Sequence, residues 1–154
     1  MSARSVEHAT FVIERSYGAS PERAFAAWAD PEAKARWFRG SETEFEVDFR
    51  VGGWERHWGI HPGGRAYAFQ AVYQDIVPAE RIVYTYDMLL DETRVSVSLA
   101  TVEFRPEHDG TRLVFTEQGA FLDGHVPPAQ REQGMGSLLA SLGEWLQSNR
   151  SGGG

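Results

Sequence analysis

The stretch PPAQREQGMGSLLASLGEWLQSN, residues 127–149, decides how the rest of the chain can bury itself. Met135, Leu138, Leu139, Leu142, Trp145 and Leu146 recur at the i, i+3, i+4 and i+7 spacings that bring side chains onto one side of a helix. The pattern predicts a long amphipathic C-terminal helix with one broad apolar face. Gly134, Gly136 and Gly143 each weaken such a helix by about 1 kcal/mol relative to alanine. They either let a sheet or ligand approach closely or bend the helix. The residues upstream must cover that face.

Those residues read mainly as strands. TFVIERSY, residues 10–17, is rich in β-branched and aromatic side chains and stops at Gly18, which predicts a first strand. Two short helices follow. Ser20 before Pro21 sets a side-chain cap ahead of a proline at the first helical position, and Asp30 before Pro31 repeats the signal. Phe25 and Trp28 lie three apart on the first helix; the second runs to about Trp37 or Phe38, with Gly40 ending it. Further strands are predicted at residues 44–48, 54–59, 67–76, 81–88, 95–104 and 112–121, between the turn signals Gly52-Gly53, HPGG, VPAE, DET and EHDG.

A curved antiparallel sheet of about six or seven strands, wrapped around the terminal helix, buries both apolar faces at once in an α+β arrangement. A length of 154 residues supports one such domain rather than two, and we place it at residues 9–148. Residues 1–8 and 149–154 are expected to be flexible, because polar, glycine-rich ends bury too little to offset their ordering.

Composition narrows the function. A hydrophobic fraction of 42% with 24% charged residues is ordinary for a soluble fold, and no apolar run approaches the roughly 18 residues of a membrane span. Lys and Arg total 15 against 22 Asp and Glu, a net charge of -7 without a basic stripe, so nucleic acid is not an expected partner. MSARSVEHAT lacks the apolar core of a secretory signal and the chain has no cysteine, which fits cytoplasmic residence.

No G-x-S-x-G elbow, Walker loop or dinucleotide fingerprint occurs, so hydrolase, NTPase and redox readings lose their usual support, and no cofactor is expected. His57 and His61 sit four apart, as a helical metal pair does. Gly59, Pro62, Gly63 and Gly64 argue against a helix there, so no metal site is expected.

Strand phase points to candidate cavity residues. In RIVYTYDM the bulky face is Ile82, Tyr84, Tyr86 and Met88, which favours them as inward residues. In TRLVFTEQGAF, Leu113, Phe115, Glu117, Gly119 and Phe121 share a face, so Glu117 is a carboxylate on an otherwise apolar row. A buried acid needs a partner or a shifted pKa. Glu117 therefore reads either as a functional acid or as a structural one bonded to an arginine such as Arg131 or to a tyrosine hydroxyl. Trp28, Trp37, Phe38, Phe69 and Tyr73 read as pocket lining or as ordinary core.

The element order, together with SPERAFAAWADPEAKARWF, DFRVGG, YQDIVPAERIVYTYDM, TVEF, GTRLVFTEQGAF and REQGMGSLLASL, resembles the START-like (SRPBCC), helix-grip superfamily. That superfamily includes polyketide cyclases, lipid-transfer domains and the birch-pollen allergen. The closer resemblance is to its branch named for activators of the ninety-kilodalton heat-shock protein's ATPase, and it covers residues 11–146. It implies a helix-grip fold with an elongated cavity for an apolar or aromatic small molecule between the long helix and the sheet. Members include enzymes, carriers, sequestering proteins and co-chaperone domains, so the resemblance implies no single activity.

One stretch, GGWERHWG at residues 52–59, has two readings. Strand alternation puts Trp54, Arg56 and Trp58 on one face and Glu55 and His57 on the other. Hydrophobicity alone sends the indoles inward, since burying two is worth several kcal/mol by apolar area. The resemblance implies the reverse, with Glu55 and His57 inside and the tryptophans forming an aromatic surface suited to a homodimer.

In that second register Glu55, His57 and Glu117, with Tyr84 or Tyr86, form a proton-transfer set around an apolar ligand. The leading reading is a small-molecule-binding protein. Its cavity residues would be Trp28, Trp37, Phe38, Glu55, His57, Phe69, Tyr73, Tyr84, Tyr86, Met88, Phe115, Glu117, Met135 and Leu139. The alternatives are a cyclase, dehydratase or isomerase using Glu55, His57 or Glu117, and a protein-interaction module resembling a co-chaperone.

Overall fold

The first strand and the second lie at opposite edges of one sheet, with two short helices between them in the chain. The computed structural model describes residues 4–38 and 44–149; Gly40, expected to end the second helix, and residues 1–3 and 150–154 of the two ends lie outside them. The elements are β1 (Val6–Tyr17), α1 (Pro21–Ala29), α2 (Pro31–Trp37), β2 (Glu44–Val47), β3 (Trp54–Ile60), β4 (Ala66–Val77), β5 (Arg81–Leu90), β6 (Thr93–Glu107), β7 (Gly110–Leu122) and α3 (Pro128–Ser148). The sheet order is β1-β7-β6-β5-β4-β3-β2, antiparallel throughout. Thus α1 and α2 carry the chain from one edge of the sheet to the other.

The two short helices form where capping chemistry starts them. The Ser20 hydroxyl accepts from the Arg23 amide at 3.2 Å, and the Asp30 carboxylate, at the end of α1, accepts from the Glu32 amide at 3.1 Å to open α2. Their inward faces carry Ala24, Ala27 and Trp28, then Ala33, Lys34 and Trp37. Five of these six are apolar and small or aromatic as burial requires; Lys34 is the exception.

Several strands run past the limits read from side-chain patterning. β1 begins at Val6 and pairs with β7 over its whole length, from Val6 opposite Leu122 to Tyr17 opposite Thr111. Backbone pairing does not need an apolar side chain at every second position, so it extends beyond the alternation. The β5–β6 turn is the two-residue Asp91-Glu92 with both residues at positive φ, the hairpin geometry that matches the twist of its strands.

Irregularities at Tyr73/Asp75 and Met88/Leu89 interrupt the ladders, where added twist helps the sheet curve. Its concave face holds α3 through Met135, Leu139, Leu142 and Leu146, all buried. The Tyr17 hydroxyl donates to the Leu139 carbonyl at 2.7 Å, and Arg23 donates to the Leu146 carbonyl at 3.1 Å, which tie the helix to β1 and α1. No described helix is long and apolar enough to cross a membrane.

Candidate functional site

The register of GGWERHWG is set by its glycine pair. Gly52 has φ +83, and a Cβ on Gly53 would lie 2.0 Å from the Asp48 carbonyl oxygen, so only glycine fits this turn without strain. The Gly52 amide donates to the Tyr73 carbonyl at 2.8 Å and the Tyr73 amide to the Gly53 carbonyl at 3.0 Å. With the turn pinned, Val47 faces Glu55 and Phe45 faces His57. Glu55 and His57 point inward at 1% and 4% exposure, while Trp54 stays 37% exposed. Arg56 lies 5.7 Å from the Trp58 ring centroid on the outer side, partly covering it.

Apolar area alone favours the opposite arrangement. It loses because the inward acid is not left unpaired. The Lys34 ammonium reaches Glu55 Oε1 at 2.7 Å, His57 Nε2 meets Oε2 at 2.6 Å, and the Tyr73 hydroxyl donates to Oε1. Burial by itself would raise the Glu55 carboxyl; the Lys34 charge and the His57 bond overcome it and hold it at about 2. Burial pulls the Lys34 ammonium down, opposed by Glu55. The ammonium also lies 4.5 Å from the Phe38 ring centroid and 4.9 Å from that of Trp28, where aromatic faces replace part of its hydration.

A second polar array stands further along the sheet. Glu117 Oε2 accepts from the Tyr86 hydroxyl at 2.7 Å, the Ser98 hydroxyl at 2.8 Å and Arg131 Nη1 at 3.3 Å. Arg131 also donates to the Tyr86 oxygen at 2.9 Å and to the Ser96 hydroxyl at 2.8 Å. Ser96 is in reach because the irregularity at Met88/Leu89 turns two consecutive residues, Val95 and Ser96, inward. The structural reading of Glu117, bonded to Arg131 and a tyrosine hydroxyl, is what the geometry contains.

A cavity of about 340 Å³ lies between α3 and the sheet, next to both arrays. Of the residues proposed from sequence, Phe38, His57, Phe69, Tyr84, Tyr86, Met88 and Met135 line it. Trp28, Trp37, Glu55, Tyr73, Phe115, Glu117 and Leu139 do not; they are buried around or behind its wall. Trp28 and Trp37 pack edge to face at 4.8 Å, and the Trp37 indole donates to the Ala27 carbonyl at 2.9 Å. Glu55 thus meets the cavity only through His57, and Glu117 only through Tyr86 and Arg131.

Sequence reasoning missed Lys34, which bonds to Glu55 without lining the cavity, and part of the lining itself. Val95 and Leu138 extend the apolar wall, while His61, Tyr67, Gln130 and Arg131 bring polar groups to it. Arg131 was legible only as a structural partner for Glu117. Lys34 was absent from the candidates, although its three-residue spacing to Trp37 marked the inward face of α2.

Similarity to known proteins agrees with this architecture. The family model described as Activator of Hsp90 ATPase homolog 1-like protein matches residues 18–147. The chain is 47% identical to an uncharacterized protein from Rhizobium leguminosarum of known structure, with a TM-score of 0.90 over 94% of this chain and 98% of that one. It is 48% identical to the Mll3558 protein from Rhizobium loti, with a TM-score of 0.88 over 92% and 99% of the two chains. The CV1439 protein from Chromobacterium violaceum is 28% identical, with a TM-score of 0.74 over 88% and 94%. No curated protein matches the chain.

Proposed function

The chain belongs to the Activator of Hsp90 ATPase homolog 1-like family, within the START-like superfamily, and from that premise we propose that it binds an apolar or aromatic small molecule. The carrying observation is the cavity of about 340 Å³ between α3 and the curved sheet, walled by Phe38, Phe69, Tyr84, Met88 and Met135. A volume of this size and an aromatic lining with a few convergent polar groups suit a small organic ligand. The functional unit is residues 9–148, in a setting that a cysteine-free chain suits, the cytoplasm. Outward Trp54 supports a homodimer through the Trp54 and Trp58 face.

A thermal-shift panel of apolar and aromatic compounds tests the binding. Ligand at a hundredfold excess over its dissociation constant stabilises by about 2.7 kcal/mol, or about 5 °C or more for a domain of this size. Met135→Trp, which fills the cavity, should abolish the shift while the variant still unfolds cooperatively. No shift across the panel would remove the proposal.

One contact favours a second reading, acid–base catalysis on the bound molecule. Glu55 holds His57 at 2.6 Å, and His57 lines the cavity, an arrangement of a base and the carboxylate that orients it. Deuterium exchange at the α carbon of a bound aromatic ketone, lost in Glu55→Gln, would support it; exchange unchanged by that substitution would exclude this dyad. A protein-interaction module works through its surface and needs no internal space, so the cavity counts against that third reading.

A further inference from the structure

Three tyrosines stand close together on the inner face of β4 and β5, and two of them have committed their hydroxyls. Tyr73 donates to Glu55, and Tyr86 donates to Glu117. Tyr84, opposite Tyr73 in the sheet and 2% exposed, has no hydrogen-bond partner among the described residues. The fully enclosed side-chain polar atoms that lack partners there are Trp28 Nε1 and Glu117 Oε1. The Tyr84 hydroxyl is not among these enclosed atoms, so it opens onto the cavity that Tyr84 lines. Burial, then the neighbouring Tyr86, Glu117 and Glu55, push its pKa well above the usual phenol value, so it keeps its proton and can donate.

Charge around the cavity is already balanced. Lys34 is paired with Glu55 and Arg131 with Glu117, and both carboxylates are 1% exposed. An anionic ligand drawn to Arg131 would take it from Glu117 and leave a buried carboxylate short of its cation, which is costly. A cationic ligand meets the same obstacle at Glu55, already held by Lys34, His57 and Tyr73.

We infer that the ligand is an uncharged aromatic molecule bearing one acceptor oxygen, a ketone or similar carbonyl, which receives the Tyr84 hydroxyl proton in a hydrogen bond. This rests on the small-molecule-binding reading above and specifies its ligand class. A donor that opens onto an apolar-walled cavity without a protein partner is left to the occupant, and a carbonyl at that point satisfies it.

Isothermal titration of the full chain with three molecules on one ring system tests the inference: acetylnaphthalene, ethylnaphthalene and naphthoate. Acetylnaphthalene should bind about fivefold to tenfold more tightly than ethylnaphthalene, the worth of one net hydrogen bond. Naphthoate should bind at least about tenfold more weakly than the ketone, because a third buried carboxylate, beside those of Glu55 and Glu117, has no cation of its own. In Tyr84→Phe the advantage of the ketone over ethylnaphthalene should fall to within about twofold. Equal binding of ketone and ethyl compound by the unaltered protein, tightest binding of naphthoate, or a ketone advantage that survives Tyr84→Phe would overturn the inference. Should Tyr84→Phe not fold, the three ligands on the unaltered protein still decide it. If none of the three binds, the small-molecule reading itself falls with the inference.

Discussion

Lys34 sits 2% exposed in a short helix, with its ammonium bonded to Glu55 and set among aromatic rings. Removing one member of a buried pair leaves the other uncompensated, so Lys34→Met should lower stability by about 3–5 kcal/mol. The double variant Lys34→Met with Glu55→Leu should recover most of that loss, because it removes both charges together. Denaturant midpoints measure both, with an unchanged slope indicating that only stability moved.

Glu55 also sets an acid limb. Its carboxyl titrates at about 2 in the fold against 4.5 when free, so the unfolded chain binds the proton first as pH falls. Its stabilisation is complete above about pH 4.5 and is lost progressively between about 4.5 and 2, on the order of 3 kcal/mol in all. Urea unfolding across that window should show the loss, and Glu55→Gln should lose the part of the slope that Glu55 supplies. An identical slope in the variant would contradict the pairing.

At this scale the sequence revealed Glu117 through its apolar row, and Glu55 and His57 only through the family register. Lys34 stayed hidden because a lysine among alanines and a tryptophan carries no pattern that separates a buried amine from a solvated one. Its partner lies 21 residues away, on a strand across the sheet.

Elements were easier to read than residues, because caps and turns act locally. Ser20-Pro21, Asp30-Pro31, Gly52-Gly53 and the Asp91-Glu92 turn all mark the boundaries that their chemistry requires. The irregularity that turns Val95 and Ser96 inward together was not legible, since it breaks the alternation on which strand phase depends.

The glycines of α3 separate two effects. A Cβ at Gly134 meets nothing within 4 Å, so Gly134→Ala should stabilise the helix by up to about 1 kcal/mol. At Gly143 a Cβ would come within 3.1 Å of the Tyr17 ring, whose hydroxyl anchors the Leu139 carbonyl. Gly143→Ala should therefore stabilise less than Gly134→Ala, or destabilise, and thermal unfolding of the two variants compares them directly. Equal gains would show that the ring gives way freely.

For the whole molecule, the broad apolar face of residues 127–149 already required a covering sheet, and the seven antiparallel strands supply it. The space left between helix and sheet was legible only through the family resemblance and not from side-chain patterning, because it depends on side chains that stop short of one another rather than on any that meet. The outer face carries exposed Trp54 beside Val72, its partner in the sheet, and Val97 at 45% exposure. If this face joins two copies, sedimentation should show a dimer that Trp54→Lys dissociates; a monomer at every accessible concentration would count against that assembly.

The central claim is that the interior accepts a small apolar or aromatic guest. Native mass spectrometry of the full chain, as purified and after incubation with acetylnaphthalene, tests it most directly. The expected result is one small molecule bound per chain, absent from Met135→Trp. Spectra showing only the bare chain under both conditions would contradict it.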